Sequence, residues 1–201
     1  MPYPVVAEVL LPAVERAWYR RRRREPTDIP LPRPGSVYVF RGYGAYAIWD
    51  GQHIDYTDEV VVNASSVSLV DVRPRQLPID IVIPSALPNE DFTVRSTFRC
   101  RVASPAAVAE AGLTDLDVVL ASHLASDDEL GSVGRAHDVS RAHRVRQLAD
   151  VRIRALCAVA PPDVPGMDLT LVQVEVLVAT AARRADDNPE PAHYLPSGRR
   201  P

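Results

Sequence analysis

The chain has 201 residues, 46% hydrophobic and 24% charged, with a formal charge of -3. This length allows one ordinary domain with a core and some extra segments, and not two large domains. The near-average composition excludes wholesale disorder and a membrane class, and it marks no partner by charge.

All the basic residues are arginine, since lysine is absent. With abundant alanine, valine and proline, this is a coding bias and carries no function. The two cysteines, Cys100 and Cys157, lack CxxC spacing, so neither a disulfide framework nor a zinc knuckle is expected. A reducing, cytoplasmic setting follows. No window approaches the roughly 20 consecutive apolar residues of a membrane span. At the N-terminus the apolar stretch precedes the arginines, the reverse of a secretory signal.

Residues 1–25 read as an amphipathic helix, with Val5, Val9, Ala13 and Ala17 beside Val6, Leu10, Val14 and Trp18 on rows four residues apart. Pro12 would kink it, and Arg20, Arg21, Arg22, Arg23 and Arg24 would close it at the favourable end of the helix dipole. Pro26, Pro30, Pro32 and Pro34 make 26–34 an extended linker.

From Gly35 the period changes to two. Val37 to Phe40 and Tyr46 to Ile48 read as strands before the turn signal Asp50-Gly51, followed by runs at Glu59 to Asn63, Ser66 to Val72 and Gln76 to Ile83. Pro74, Pro78 and Pro84 point to edge positions or bulges. Between Asp91 and Val102, apolar Phe92, Val94, Phe98, Cys100 and Val102 alternate with polar residues, which predicts a long strand buried on one face.

Ser104-Pro105 then opens a short helix that stops at Gly112. Thr114 is the expected cap of a second helix carrying Leu116, Val119, Leu120, His123 and Leu124 on one stripe. Asp127 to Gly134 reads as a loop, Asp138 as the cap of a third helix reaching Ala160, and Leu169 to Thr180 as a closing strand. The polar tail 181–201 shows no periodicity and is expected to be disordered. The fold class is thus α/β (α+β), a bent antiparallel strand meander followed by two or three helices and a closing strand over 35–180.

The strand meander with Val70-Asp71-Val72-Arg73-Pro74, then Phe92-Thr93-Val94-Arg95-Ser96-Thr97-Phe98-Arg99-Cys100-Arg101-Val102 leading into Ser104-Pro105, resembles the SPFH/band 7 domain of stomatins, prohibitins and flotillins. The helix order and the closing strand Leu169 to Val178 extend the resemblance over most of 35–180. It implies no catalytic residue and no cofactor; it implies lateral self-assembly into a ring or larger complex, often at a membrane. The membrane segment and long coiled coil that usually flank such domains are not seen in the sequence.

Gly42-x-Gly44-x-x-Ala47 imitates a dinucleotide fingerprint, but Ile48-Trp49-Asp50-Gly51 supplies no helix N-terminus for a phosphate. No two of His53, His123, His137, His143 and His193 have the i, i+4 spacing of a helical metal pair. Gly131-Ser132-Val133-Gly134 imitates a nucleic-acid-clamping loop with only Arg135 beside it; no nucleic acid is expected.

Two surfaces remain as contact candidates. Val6, Leu10, Val14 and Trp18 with Arg20 to Arg24 would meet either an anionic membrane at the inner face or a dedicated protein partner, in which case the protein is an adaptor. Arg95, Arg99 and Arg101 on the polar strand face, with Arg144 and Arg152, would meet Asp127, Asp128 and Glu129 of a neighbouring subunit.

Overall fold

A computed structural model describes residues 2–15, 22–49 and 53–180. It is a mixed α/β structure with two antiparallel sheets. The first, in the order β1-β4-β2-β3, contains β1 (Val5–Leu10), β2 (Ser36–Gly42), β3 (Ala45–Trp49) and β4 (Ser66–Asp71). The second, in the order β5-β6-β7, contains β5 (Arg75–Pro84), β6 (Glu90–Val102) and β7 (Met167–Thr180). Five α-helices occur among the described residues: α1 (Glu59–Asn63), α2 (Pro105–Glu110), α3 (Leu116–Ala125), α4 (Asp128–Arg135) and α5 (Ala142–Val159). None is long and apolar enough to cross a membrane.

The expected single bent meander is therefore divided between β4 and β5. At the division Asp71 is buried and accepts hydrogen bonds from the Arg73 backbone N–H at 3.1 Å, from Arg73 Nε at 2.9 Å and Nη2 at 2.8 Å, and from Arg75 Nη2. Burial works against its charge, but the Arg73 and Arg75 bonds outweigh it and hold the carboxyl at about 2. Arg75 also lies over the Tyr3 ring at 4.9 Å.

Each sheet has its own core. Tyr38, Phe40, Val67 and Leu69 gather with Val61, Leu11 and Ile29 on the first sheet. Ile79, Ile81, Ile83, Phe92, Val94 and Phe98 pack under Leu116, Leu120 and Leu124 of α3, Leu130 of α4 and Val145, Ala149 and Ile153 of α5. Val5, Val39, Val70, Val102, Val108 and Ala109 form a third cluster, which bridges the first sheet, the end of β6 and α2. β6 carries the second sheet because its alternate side chains, Phe92 to Val102, are all buried, as the period-two pattern predicts. Ser104 caps α2 by accepting from Ala107 N–H, and Gly112 after it has φ 60°.

Four expectations are corrected. Val5–Leu10 is a strand paired with β4 (Val5 with Val70, Leu10 with Ser66) and not the start of a helix. Residues recurring at i, i+4 also satisfy a period of two, and Val5, Val6 and Val9 are β-branched, which favours the strand. Glu59–Asn63 is a helix because the Asp58 carboxylate accepts from Val60 N–H at 2.8 Å. Asp127 does the same for α4, accepting from Glu129 N–H at 3.1 Å, so the stretch expected as a loop is helical. The second expected cap also moves by one residue: Asp115 stands at the start of α3, and Thr114 donates to it.

Candidate functional site

Over its described residues, the N-terminal contact surface read from the sequence does not form an apolar helix face. Val6 is half-buried on β1, Leu10 is 82% exposed at its end, and Val14 lies in irregular chain. Trp18, Arg20 and Arg21 lie outside the described residues, as do the Asp50-Gly51 turn and the tail 181–201.

The described arginines of the run have separate fates. Arg22 donates to Asn63 Oδ1 at 2.9 Å and to the Val14 carbonyl at 3.3 Å, while Arg23 is exposed. Arg24 is fully buried, contrary to a membrane-facing role. It donates to the carbonyls of Val61 at 2.8 Å, Pro12 at 3.0 Å, Val62 at 3.1 Å and Ala64 at 2.9 Å, and Asp28 lies 3.7 Å away. These carbonyls include orphan acceptors of the short α1, so Arg24 serves as the C-terminal cap of that helix.

Of the arginines assigned to a neighbour, two are satisfied within the chain. Arg95 forms a bidentate pair with Asp80 across β5 and β6, with both bonds at 2.7 Å. Arg152 holds Asp127 at 2.6 and 2.9 Å and Glu129 at 2.6 Å, so it ties α5 to the start of α4; its hydrogen bonds lower the Asp127 carboxyl. Asp127 and Glu129 are therefore partners of this arginine and not acceptors for a second copy's. Arg99, Arg101 and Arg144 remain exposed.

Among the described residues no three of His, Cys, Asp or Glu could hold a metal ion. Burial pushes the Cys100 thiol up to about 11 and raises that of Cys157, which disfavours the thiolate a nucleophile needs. The Gly42-Tyr43-Gly44 segment is the turn of the β2–β3 hairpin. Gly131 and Gly134 lie inside α4, where a β-carbon on Gly134 would meet the Pro84 carbonyl at 2.3 Å; its glycine allows the helix to lie against β5.

The surface with room for a partner lies along β7. β6 pairs one edge of this 14-residue strand, and no other described strand pairs the second. Beside that edge runs a groove of about 580 Å³, walled by His143, Arg146, Gln147, Asp150 and Arg154 of α5 and floored by Val172, Val174 and Val176 of β7. The pairing with β6 slips between Thr97 and Phe98, which leaves Val172 as the extra residue of a bulge. The face of the sheet opposite the helices carries Arg95, Thr97, Arg99 and Arg101 of β6 beside Glu175 and Gln173 of β7.

The residue pattern marks β7 as a strand but does not distinguish a central strand from an edge strand, because strand order is a long-range property. No protein-family model matches the chain, and no curated protein matches it.

Proposed function

We propose that this protein is a non-catalytic scaffold of the SPFH/band 7 kind, which works by assembling copies of itself into a ring or larger complex. Support comes from the order of its elements. A small antiparallel sheet leads into a long alternating strand, a Ser-Pro-capped helix, further helices and a closing strand. That is the order the resemblance implies.

The observation that carries the proposal is the free edge of β7 beside its groove. An extended strand with unpaired N–H and C=O groups is a template for another strand, and a helix-walled groove beside it is a common setting for strand addition. The exposed Arg99, Arg101 and Arg144 offer a second, electrostatic contact. An adaptor would use a helix over Val5 to Trp18, whereas Val5–Leu10 lies in the sheet.

An anionic membrane would be met at the end of the first sheet where Leu10, Ser66 and Arg41 are neighbours across three strands. There Leu10 is 82% and Tyr43 91% exposed, with Arg23 also at the surface. Light scattering across protein and salt concentration, with and without anionic vesicles, tests both parts. A discrete assembly supports the scaffold; a monomer at high concentration and low salt overturns it.

A further inference from the structure

Resting on the scaffold reading, we infer that two copies join through β7 itself, antiparallel about a twofold axis centred on Val176, so that the two three-stranded sheets become one of six strands.

The four sheet edges differ in how they are guarded. β1 is held at its start by backbone bonds from Tyr3 N–H to Thr114 and from Val5 N–H to Leu113, and it is irregular between Val5 and Ala7. β3 has only five residues. β5 carries Pro78 and Pro84, which lack an N–H, and the exposed Asp80. These are the usual devices against strand addition: short length, bulges, proline and charge. β7 has neither proline nor lysine in its 14 residues, and its central run Val172-Gln173-Val174-Glu175-Val176-Leu177-Val178 holds one charge. That charge, Glu175, stands opposite Arg95 on the open face of the sheet.

The register follows from side chains facing the same side in antiparallel pairs. Centring on Glu175 sets two carboxylates opposite each other, which is unfavourable. Centring on Val174 or earlier draws the Val172 bulge into the new ladder. Centring on Leu177 leaves Val176 and Val178 as the only valine contacts on the helix side. Centring on Val176 keeps 173–179 clear of the bulge. It sets Val176 against its own copy, Val174 against Val178 of the partner subunit, and Glu175 against Leu177 of the partner subunit.

This pairing covers Leu177 and Val178, which are 42% and 46% exposed in the single chain. An axis normal to the sheet puts both α5 helices on the same side, above the junction. The groove wall suits that approach because it carries both signs, Arg146 and Arg154 with Asp150, and so does not repel its own copy as a wall of one sign would.

The test combines light scattering of the full chain with amide deuterium exchange at high and low protein concentration, on wild type and on the double variant Leu177→Lys, Val178→Lys. Both side chains are exposed, so the variant should keep the wild-type Tm. Expected are at least about tenfold slower exchange at 173–179 in the associated wild type, and a variant whose largest species has half the wild-type mass or less. A wild type that assembles with 173–179 unprotected, or a folded variant that assembles to the wild-type mass, overturns the β7 junction and leaves the scaffold reading standing. A wild type that is monomeric throughout removes both.

Discussion

Arg24 and Asp71 are charges kept inside the fold by different partners, and they give the sharpest expectations for single substitutions. Arg24 spends its guanidinium on four carbonyls from two separate stretches, 12 and 61–64. Arg24→Ala would strand several buried acceptors and is expected to cost on the order of 3 kcal/mol or more by denaturant unfolding; Arg23→Ala, at an exposed position, should stay within about 0.5 kcal/mol. Nothing in five consecutive arginines singles out the one that turns inward, because the carbonyls it meets are set by tertiary packing. Asp71 is depressed to about 2 from 3.8. A depressed carboxyl stabilises the fold above its unfolded value, and that contribution is lost as pH falls through 4 towards 2. Asp71→Asn should therefore remove about 2 kcal/mol at neutral pH and flatten the acid limb of a stability-versus-pH curve over that window.

Elements whose pattern admitted one period were legible, and those that admitted two were not. β6 alternates over its whole length, and α2 has Ser104 and Gly112 at its ends, so both stand close to where the sequence puts them. Val5–Leu10 satisfied both periods, and α1 and α4 are too short for periodicity to outweigh their caps, Asp58 and Asp127. The glycines of α4 separate propensity from packing. A β-carbon at Gly131 would meet only the flexible end of Arg135, at 3.3 Å, whereas at Gly134 it would meet the Pro84 carbonyl at 2.3 Å. Gly131→Ala should raise stability by up to about 1 kcal/mol through helix propensity. Gly134→Ala should lower it by about 1–3 kcal/mol through overpacking. Thermal unfolding of the two variants side by side would show opposite shifts if α4 lies on β5 as described.

Across the whole molecule, the sequence disclosed most of the strands, β1 excepted, but not their order, and the candidate site depends on order. That β5 is an edge could be read from Pro78 and Pro84; that β7 is the other edge could not, since an absence of guards is also what a central strand looks like. The proposed assembly would use two kinds of contact with different responses to salt. Pairing along β7 would rest on backbone bonds and valine side chains, which screening barely touches. Contacts through Arg99, Arg101 and Arg144 are between exposed charges and weaken as the Debye length shrinks from about 10 Å at 0.1 M to about 3 Å at 1 M. Raising salt to 1 M is thus expected to reduce larger assemblies to dimers and to leave the dimers intact, read as a stepwise fall in mass by light scattering.

The opening residues of the chain are tied to much later ones. Among the described strands β1 pairs with β4 alone, and Tyr3 exchanges backbone bonds with Thr114 and Leu116 at the head of α3. A polypeptide leaving the ribosome N-terminus first must therefore carry its first strand unpaired until β4 has emerged, and cannot fasten it until residue 116 is free. The same delay applies to β6, whose partner β7 is separated from it by α2 to α5. Such far-reaching pairings slow folding, because a long loop must close before any contact repays it. Nascent chains halted before β7 would display the edge of β6, which makes β7 as much a cover for the half-made protein as the proposed meeting place of the finished one.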